Sequence, residues 1–180
     1  DDTAEAAGRL TLNPLAHVDP FGAVLLLLTG FGWAKPVPIN PARMNHPRKG
    51  IIWTSLAGPL SNLLAALVGV VLMQIVFPFY YADPNAVLTG IYTLLYWFVA
   101  INISLAVFNL IPVPPLDGSK ILEMVLPGKL AFAFHNFSYR YSFLLLMLLV
   151  FSGMIGRIIN PLAQFYTGTT IRLIASVLQM

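Results

Sequence analysis

"IIWTSLAGPLSNLLAALVGVVLMQIVF", residues 51–77, runs for 27 positions without a charged side chain. A helix crosses a hydrocarbon core about 30 Å thick with roughly 20 apolar residues. This stretch is therefore long enough to span a bilayer, and its reading decides the fold class. A second uncharged run covers 86–111, and a third, 141–156, extends to Ile159 if Arg157 snorkels toward an interface. A fourth, "AVLLLLTGFGW" at 23–33, is too short to cross as a straight helix. It reads as a re-entrant hairpin, an interfacial segment or half of a broken span. Of the 180 residues 58% are hydrophobic and 9% charged, against about 25% charged in soluble domains. Three apolar runs of this length would need far more polar chain to cover them in a soluble core. The expected fold is an all-α membrane protein: a polytopic helical bundle with at least three spans and a short re-entrant or extended segment. Residues 1–180 read as one membrane-embedded domain, with a tail over 160–180 that forms an interfacial helix or a short further span.

Loop charges orient the spans. Lys35, Arg43, Arg48 and Lys49 lie before the first span, and Lys120, Lys129 and Arg140 follow the second. The linker between the spans, 79–85, carries only Asp83. By the positive-inside rule the two basic loops face the cytoplasm. The net charge of +3 comes from few groups. No basic stripe interleaved with aromatics speaks for nucleic-acid binding. The absence of cysteine excludes a disulfide framework, a thiol nucleophile and cysteine-ligated zinc. The chain opens at Asp1 with no signal-peptide pattern before its body, and reads as a piece or processed product of something longer.

Prolines punctuate the loops at "KPVPINP", 35–41, and "IPVPPLDG", 111–118. Each proline fixes its own φ and pushes its predecessor out of the helical region, so both stretches are expected to be extended. Two such stretches on one side suggest a polar cavity opening toward the cytoplasm. Asp117 stands at the cytoplasmic end of the second span. A carboxylate so close to a membrane has either a function or a place in an Asp-Gly turn. Asn109, eight residues earlier, and Asn102 are candidate interhelical hydrogen-bond donors, and Asn109 is also placed to act beside Asp117. In the first span Ser61, Ala65 and Gly69, and likewise Gly58, Asn62 and Ala66, recur four apart and offer close helix packing. Pro59 is expected to bend that helix. His17, His46 and His135 form no H-x-x-x-H pair; His17, two residues before Asp19, is the one with a functional reading.

Three stretches together resemble the site-2 protease family of intramembrane zinc metalloproteases, in particular its compact bacterial members. They are "GRLTLNPLAHVDPFG" (8–22) leading into "GFGWAKPVPINP" (30–41), "AGPLSN" (57–62) and "FNLIPVPPLDGSKIL" (108–122). The match covers about residues 1–125, and 126–180 fits as C-terminal membrane helices. The resemblance implies a zinc ion held by two histidines of an H-E-x-x-H helix and by the L-D-G aspartate, here Asp117. Asn109 matches the asparagine expected to hold the substrate strand or the reacting carbonyl. Such a zinc lowers the pKa of a bound water, and the motif's glutamate takes its proton as the water attacks a peptide bond. The extended stretch at 35–41 would offer an edge to an unwound substrate. This sequence contains no H-E-x-x-H. The expectation is therefore a protease of membrane-spanning or membrane-proximal segments in a bacterial inner membrane, whose catalytic helix precedes Asp1. The 180 residues alone would be inactive and hold zinc weakly or not at all. The alternative is a catalytically dead relative that binds or chaperones membrane segments. Implied partners are a transmembrane peptide or protein substrate and the lipid bilayer; homo-oligomerisation is left open.

Overall fold

A computed structural model describes residues 2–29 and 32–153, and beyond them 156–157, 160–162, 164–166, 168–169 and 172. The chain divides into two compact units, residues 1–50 and 51–180. Its helices are α1 (Thr3–Ala6), α2 (Pro20–Thr29), α3 (Pro47–Ala82), α4 (Ala86–Asn109), α5 (Asp117–Val125), α6 (Gly128–Arg140) and α7 (Ser142–Phe151), with short 3-10 turns at Pro14–Ala16 and Pro41–Arg43. Asparagine starts three of these elements. Asn13, Asn40 and Asn85 each accept a hydrogen bond from a backbone N–H two residues on, and in the first two cases a proline follows directly.

In the first unit the apolar 23–33 segment returns on itself. Val18 pairs antiparallel with Ala34, and the Lys35 N–H donates to the His17 carbonyl at 2.9 Å. Asp19 begins α2 by accepting from the Gly22 N–H at 2.9 Å. The Phe21 and Trp33 rings then close the loop at 5.8 Å. The Val18–Ala34 pair thus closes the base of this excursion. Arg9 holds this unit together. Only 7% exposed, its guanidinium donates to the carbonyls of Ala16, Lys35 and Pro36, three acceptors from two loops. A lysine's three donors radiate from a single nitrogen and lack the planar fork by which Nη1 and Nη2 reach acceptors on both loops. Arg9→Lys is expected to cost roughly 2–3 kcal/mol, because buried carbonyls lose a charged donor, read as a lower urea midpoint for the purified protein.

The second unit holds two helices long and apolar enough to cross a membrane, α3 and α4. Only 22% and 17% of their most apolar windows are buried inside the protein. A soluble core helix would be mostly covered, so this surface is suited to lipid. α3 runs unbroken through Pro59 and Pro78. The missing N–H of Pro59 leaves the Ser55 carbonyl without its helical donor, and the Ser55 hydroxyl, on a residue 2% exposed, also has no partner among the described residues. The helices meet through Ala66 and Val70 of α3 against Val99 and Ile103 of α4. Gly69 lies directly under Val99 and Phe98, where a Cβ would clash. One buried face, Ser55–Pro59–Ala66–Gly69–Val70, replaces the two small-residue rows read from spacing, and Ser61 is exposed. Asn102 turns back to its own helix, donating to the Phe98 carbonyl at 2.8 Å.

Of the third apolar run, α7 covers ten residues, or about 15 Å at 1.5 Å per residue; the chain turns at Gly153 with φ 69°, and positions 154–155 and 158–159 of the run lie outside the described residues. Most of the 160–180 tail lies outside the described residues; Tyr166, which is described, donates to the Leu63 carbonyl at 2.7 Å.

Candidate functional site around Asp117

α4 ends at Asn109, and the chain does not run out extended as the prolines suggested. It folds into consecutive turns: the Ile111 N–H donates to the Phe108 carbonyl (3.1 Å), Val113 to Ile111 (2.8 Å) and Leu116 to Val113 (2.9 Å). Prolines at turn positions pre-set φ without needing a donor, so a proline-rich stretch can be compact where its remaining N–H groups find carbonyls. Pro114 is fully buried, and Ile111 and Leu116 pack on Leu149 of α7. The ten-residue helix thus backs the loop. The Pro114–Pro115 peptide is cis.

Asp117 is the first residue of α5, where a carboxylate is favoured by the positive end of the helix. Its side chain is 28% exposed, and Oδ1 accepts from Lys120 Nζ at 2.9 Å, one turn along. Oδ2 points elsewhere. A Cβ added at Gly58 of α3 would stand 3.7 Å from it, and Gly58 is itself exposed. The "AGPLSN" glycine, read from sequence as a packing residue, thus sets no side chain against that oxygen. Gly118 fixes the other side of the mount: its Cβ would lie 2.1 Å from the Leu110 carbonyl oxygen and 2.6 Å from that of Ile111. The end of α4 passes directly against the start of α5, and no side chain fits between. Ser119, fully buried, donates to the Leu116 carbonyl at 2.7 Å and closes the turn.

Asn109 is half-buried, and its amide makes no hydrogen bond among the described residues. The loop between it and Asp117 folds both onto one end of α4. The histidines do not join them. His17 bonds the Thr11 carbonyl at 2.9 Å within the first unit, and its neighbour Asp19 is spent on α2. His135 Nδ1 meets Glu123 at 3.1 Å and its ring lies 4.4 Å from that of Tyr139. These contacts tie α6 to α5. Burial pushes the Tyr139 phenol up, Glu123 adds to this, and Lys120 and a hydrogen bond with Ser119 oppose it.

A catalytic zinc needs three protein ligands and an open position. Asp117 suits one of them: a carboxylate mounted at the start of α5 with a supporting cation on one oxygen and the side-chain-free Gly58 beside the other. Among the described residues no group of three or more histidines and acids comes together, so no metal-dependent step can be derived from these residues alone. Sequence reasoning missed Gly58 and Lys120. Only the second had a local signal, the i,i+3 spacing of opposite charges.

The geometry yields a test. In a helix Gly→Ala ordinarily stabilises by about 0.5–1 kcal/mol, and a methyl at Gly58 meets Asp117 Oδ2 at ordinary contact distance. Gly58→Ala is expected to hold or raise the unfolding midpoint. Gly58→Leu, which covers Oδ2, should abolish whatever that oxygen binds. Equal metal binding in wild type and Gly58→Leu would show that Oδ2 is not the binding atom.

The profile of Peptidase family M50 matches residues 20–149. Over 179 residues, 99% of this chain and 81% of the relative, the chain is 36% identical to the "Putative zinc metalloprotease YwhC" of Bacillus subtilis (strain 168). It is 37% identical over 83 residues, 46% of this chain and 22% of the relative, to the "Zinc metalloprotease MJ0392" of Methanocaldococcus jannaschii. No solved structure matches it. The profile match takes in both span-length helices, the proline turns and the whole of the Asp117 mount, and with the similarity over nearly the whole chain it shows that the chain belongs to Peptidase family M50, the site-2 protease family.

Proposed function

We propose that this chain is the membrane-embedded body of a zinc-dependent protease that cleaves membrane-spanning or membrane-proximal peptide segments. The observation that carries the reading is the Asp117 carboxylate: mounted between the end of a spanning-length helix and α5, paired through Oδ1 with Lys120, and with Oδ2 beside Gly58, which has no side chain to cover it. Asp117 supplies one ligand, and the family's other two come from an H-E-x-x-H segment that this sequence does not contain. Zinc, when bound, supplies a Lewis acid that activates water. Asn109 holds the substrate backbone through its uncommitted amide, and Lys120 keeps the Asp117 carboxyl oriented. The chain spans the membrane more than once, with the basic loops at 35–50 and 112–140 on the cytoplasmic side. By itself it is inactive.

The test uses the protein with its upstream segment, purified in detergent. It is expected to carry about one zinc per chain and to cleave a single-span substrate, losing cleavage to a chelator and regaining it with zinc. Cleavage that survives complete metal removal would refute the reading. Binding of the single-span substrate with no zinc and no cleavage would favour a catalytically dead binder of membrane segments.

A further inference from the structure

The outer surface of α6 is organised in a way that the protease reading leaves unused. α6 packs on α5 through its inner face, where Ser138 is buried and Ala131 and Phe134 are half-buried. Outward, Leu130 and Phe137 are each 58% exposed. They stand seven residues apart, two helical turns, and so form one apolar row. Lys129 and Arg140 are eleven apart, three turns, and form a second row beside it. At 1.5 Å per residue the two cations are about 16 Å from one another along the helix.

The charges nearby are already committed. Lys120 is held by Asp117 and Glu123 by His135. Lys129 and Arg140 have no acidic partner among the described residues; Arg140 lies 5.9 Å from the Tyr141 ring centroid, outside the helix. Immediately after Tyr141 the chain enters α7, whose ten residues are wholly apolar apart from Ser142. An amphipathic helix with adjacent apolar and cationic rows, joined directly to an apolar helix, matches the form of an interfacial helix.

We infer that α6 is a docking surface for anionic phospholipid, resting on the membrane reading above. The Leu130–Phe137 row enters the acyl boundary while Lys129 and Arg140 meet the phosphates of a negatively charged leaflet. This holds α5, and with it Asp117, at a set depth. The complementarity is of charge as well as shape, since each cation near an anionic surface contributes about fivefold in association.

The chain has no cysteine, so a single engineered one gives a clean reporter. Ala133 is exposed and falls between the two rows. Ala133→Cys, carrying an environment-sensitive dye, is placed with the complete protein in nanodiscs of phosphatidylcholine with increasing phosphatidylglycerol. Nitroxide groups on the lipid quench dye that sits in the bilayer. Quenching is expected to rise with phosphatidylglycerol, and the association it reads at a fixed lipid composition to fall about fivefold in Lys129→Gln or Arg140→Gln and about 25-fold in the pair. Lys129→Arg should restore the wild-type curve. Phe137→Ser should weaken quenching at every lipid composition. Quenching that ignores phosphatidylglycerol, or a dye shielded from both lipid and aqueous quenchers because protein covers it, would overturn the inference. The same dye at Leu94, exposed on α4, separates the two readings. If Leu94 is quenched by acyl-chain nitroxides and Ala133 is not, only the docking surface fails; if neither is quenched, the membrane reading itself fails.

Discussion

Gly118→Ala is expected to destabilise the protein by about 3 kcal/mol or more, among the largest single-substitution effects in the chain. Overpacking of a core commonly costs 1–3 kcal/mol when neighbours can shift. Here they cannot shift easily, because the atoms in the way are the Leu110 carbonyl oxygen at 2.1 Å, its carbon at 2.4 Å and the Ile111 carbonyl oxygen at 2.6 Å. Those atoms belong to the end of α4 and to the first of the turns that hold the proline loop. Relief would require α5 to move away from α4, breaking the packing of Leu116 and Ile111 on Leu149. Gly90 provides the control, since nothing lies within 4 Å of its Cβ position. Gly90→Ala should leave the unfolding midpoint unchanged or raise it by up to about 1 kcal/mol. Equal urea midpoints for Gly118→Ala and wild type would mean that the close approach of α4 and α5 is not a feature of the folded protein. Because Asp117 is the adjacent residue, any Gly118→Ala protein that does fold should also lose metal affinity.

Asp117→Ala separates chemistry from stability in the opposite direction. The stability at stake is small: a first-turn carboxylate contributes about 0.3–1 kcal/mol, and a half-exposed pair such as Asp117–Lys120 about 0–1 kcal/mol. A loss near 1 kcal/mol is therefore expected, with the helices retained. The chemical effect is far larger. Removing a group that merely supports a ligand typically costs 10–100-fold in metal affinity, so deleting a ligand should cost at least about 100-fold. In the complete protein, zinc content by elemental analysis and cleavage of a single-span substrate should fall together below detection. Lys120→Met should show the smaller supporting effect, 10–100-fold in zinc affinity, with Asp117 still present. Full zinc content and normal cleavage in Asp117→Ala would remove Asp117 from the metal site.

Much of this was legible because it is local. The two span-length helices follow from counting uncharged residues, and α3 and α4 cover both runs within a few positions. The candidate site was legible as a motif, since N-x-x-P-x-P-x-L-D-G puts an amide and a carboxylate at the two ends of a stiff loop. The loop's conformation was not. Proline restricts φ but leaves open whether the remaining N–H groups find carbonyls, and at 111–116 they do, making turns where extension was expected. For His17 and Asp19, spacing gave proximity, and the structure adds the local contact of each: His17 with the Thr11 carbonyl and Asp19 with the Gly22 N–H.

Length and apolarity by themselves determined that two helices can cross a membrane, and the L-D-G motif by itself singled out Asp117. Only the tertiary structure decided which carboxylate oxygen pairs with a cation and which lies beside a residue without a side chain. Oδ1 is taken by Lys120, while Oδ2 faces Gly58 on a different helix. Spacing along α3 made Gly58 and Gly69 equivalent small residues. Packing placed Gly69 beneath Val99 and Phe98 and left Gly58 beside the carboxylate. The physical reason is that hydrophobic length is a property of a segment. The accessibility of one oxygen depends on where three helices meet, a contact that no single stretch of sequence contains.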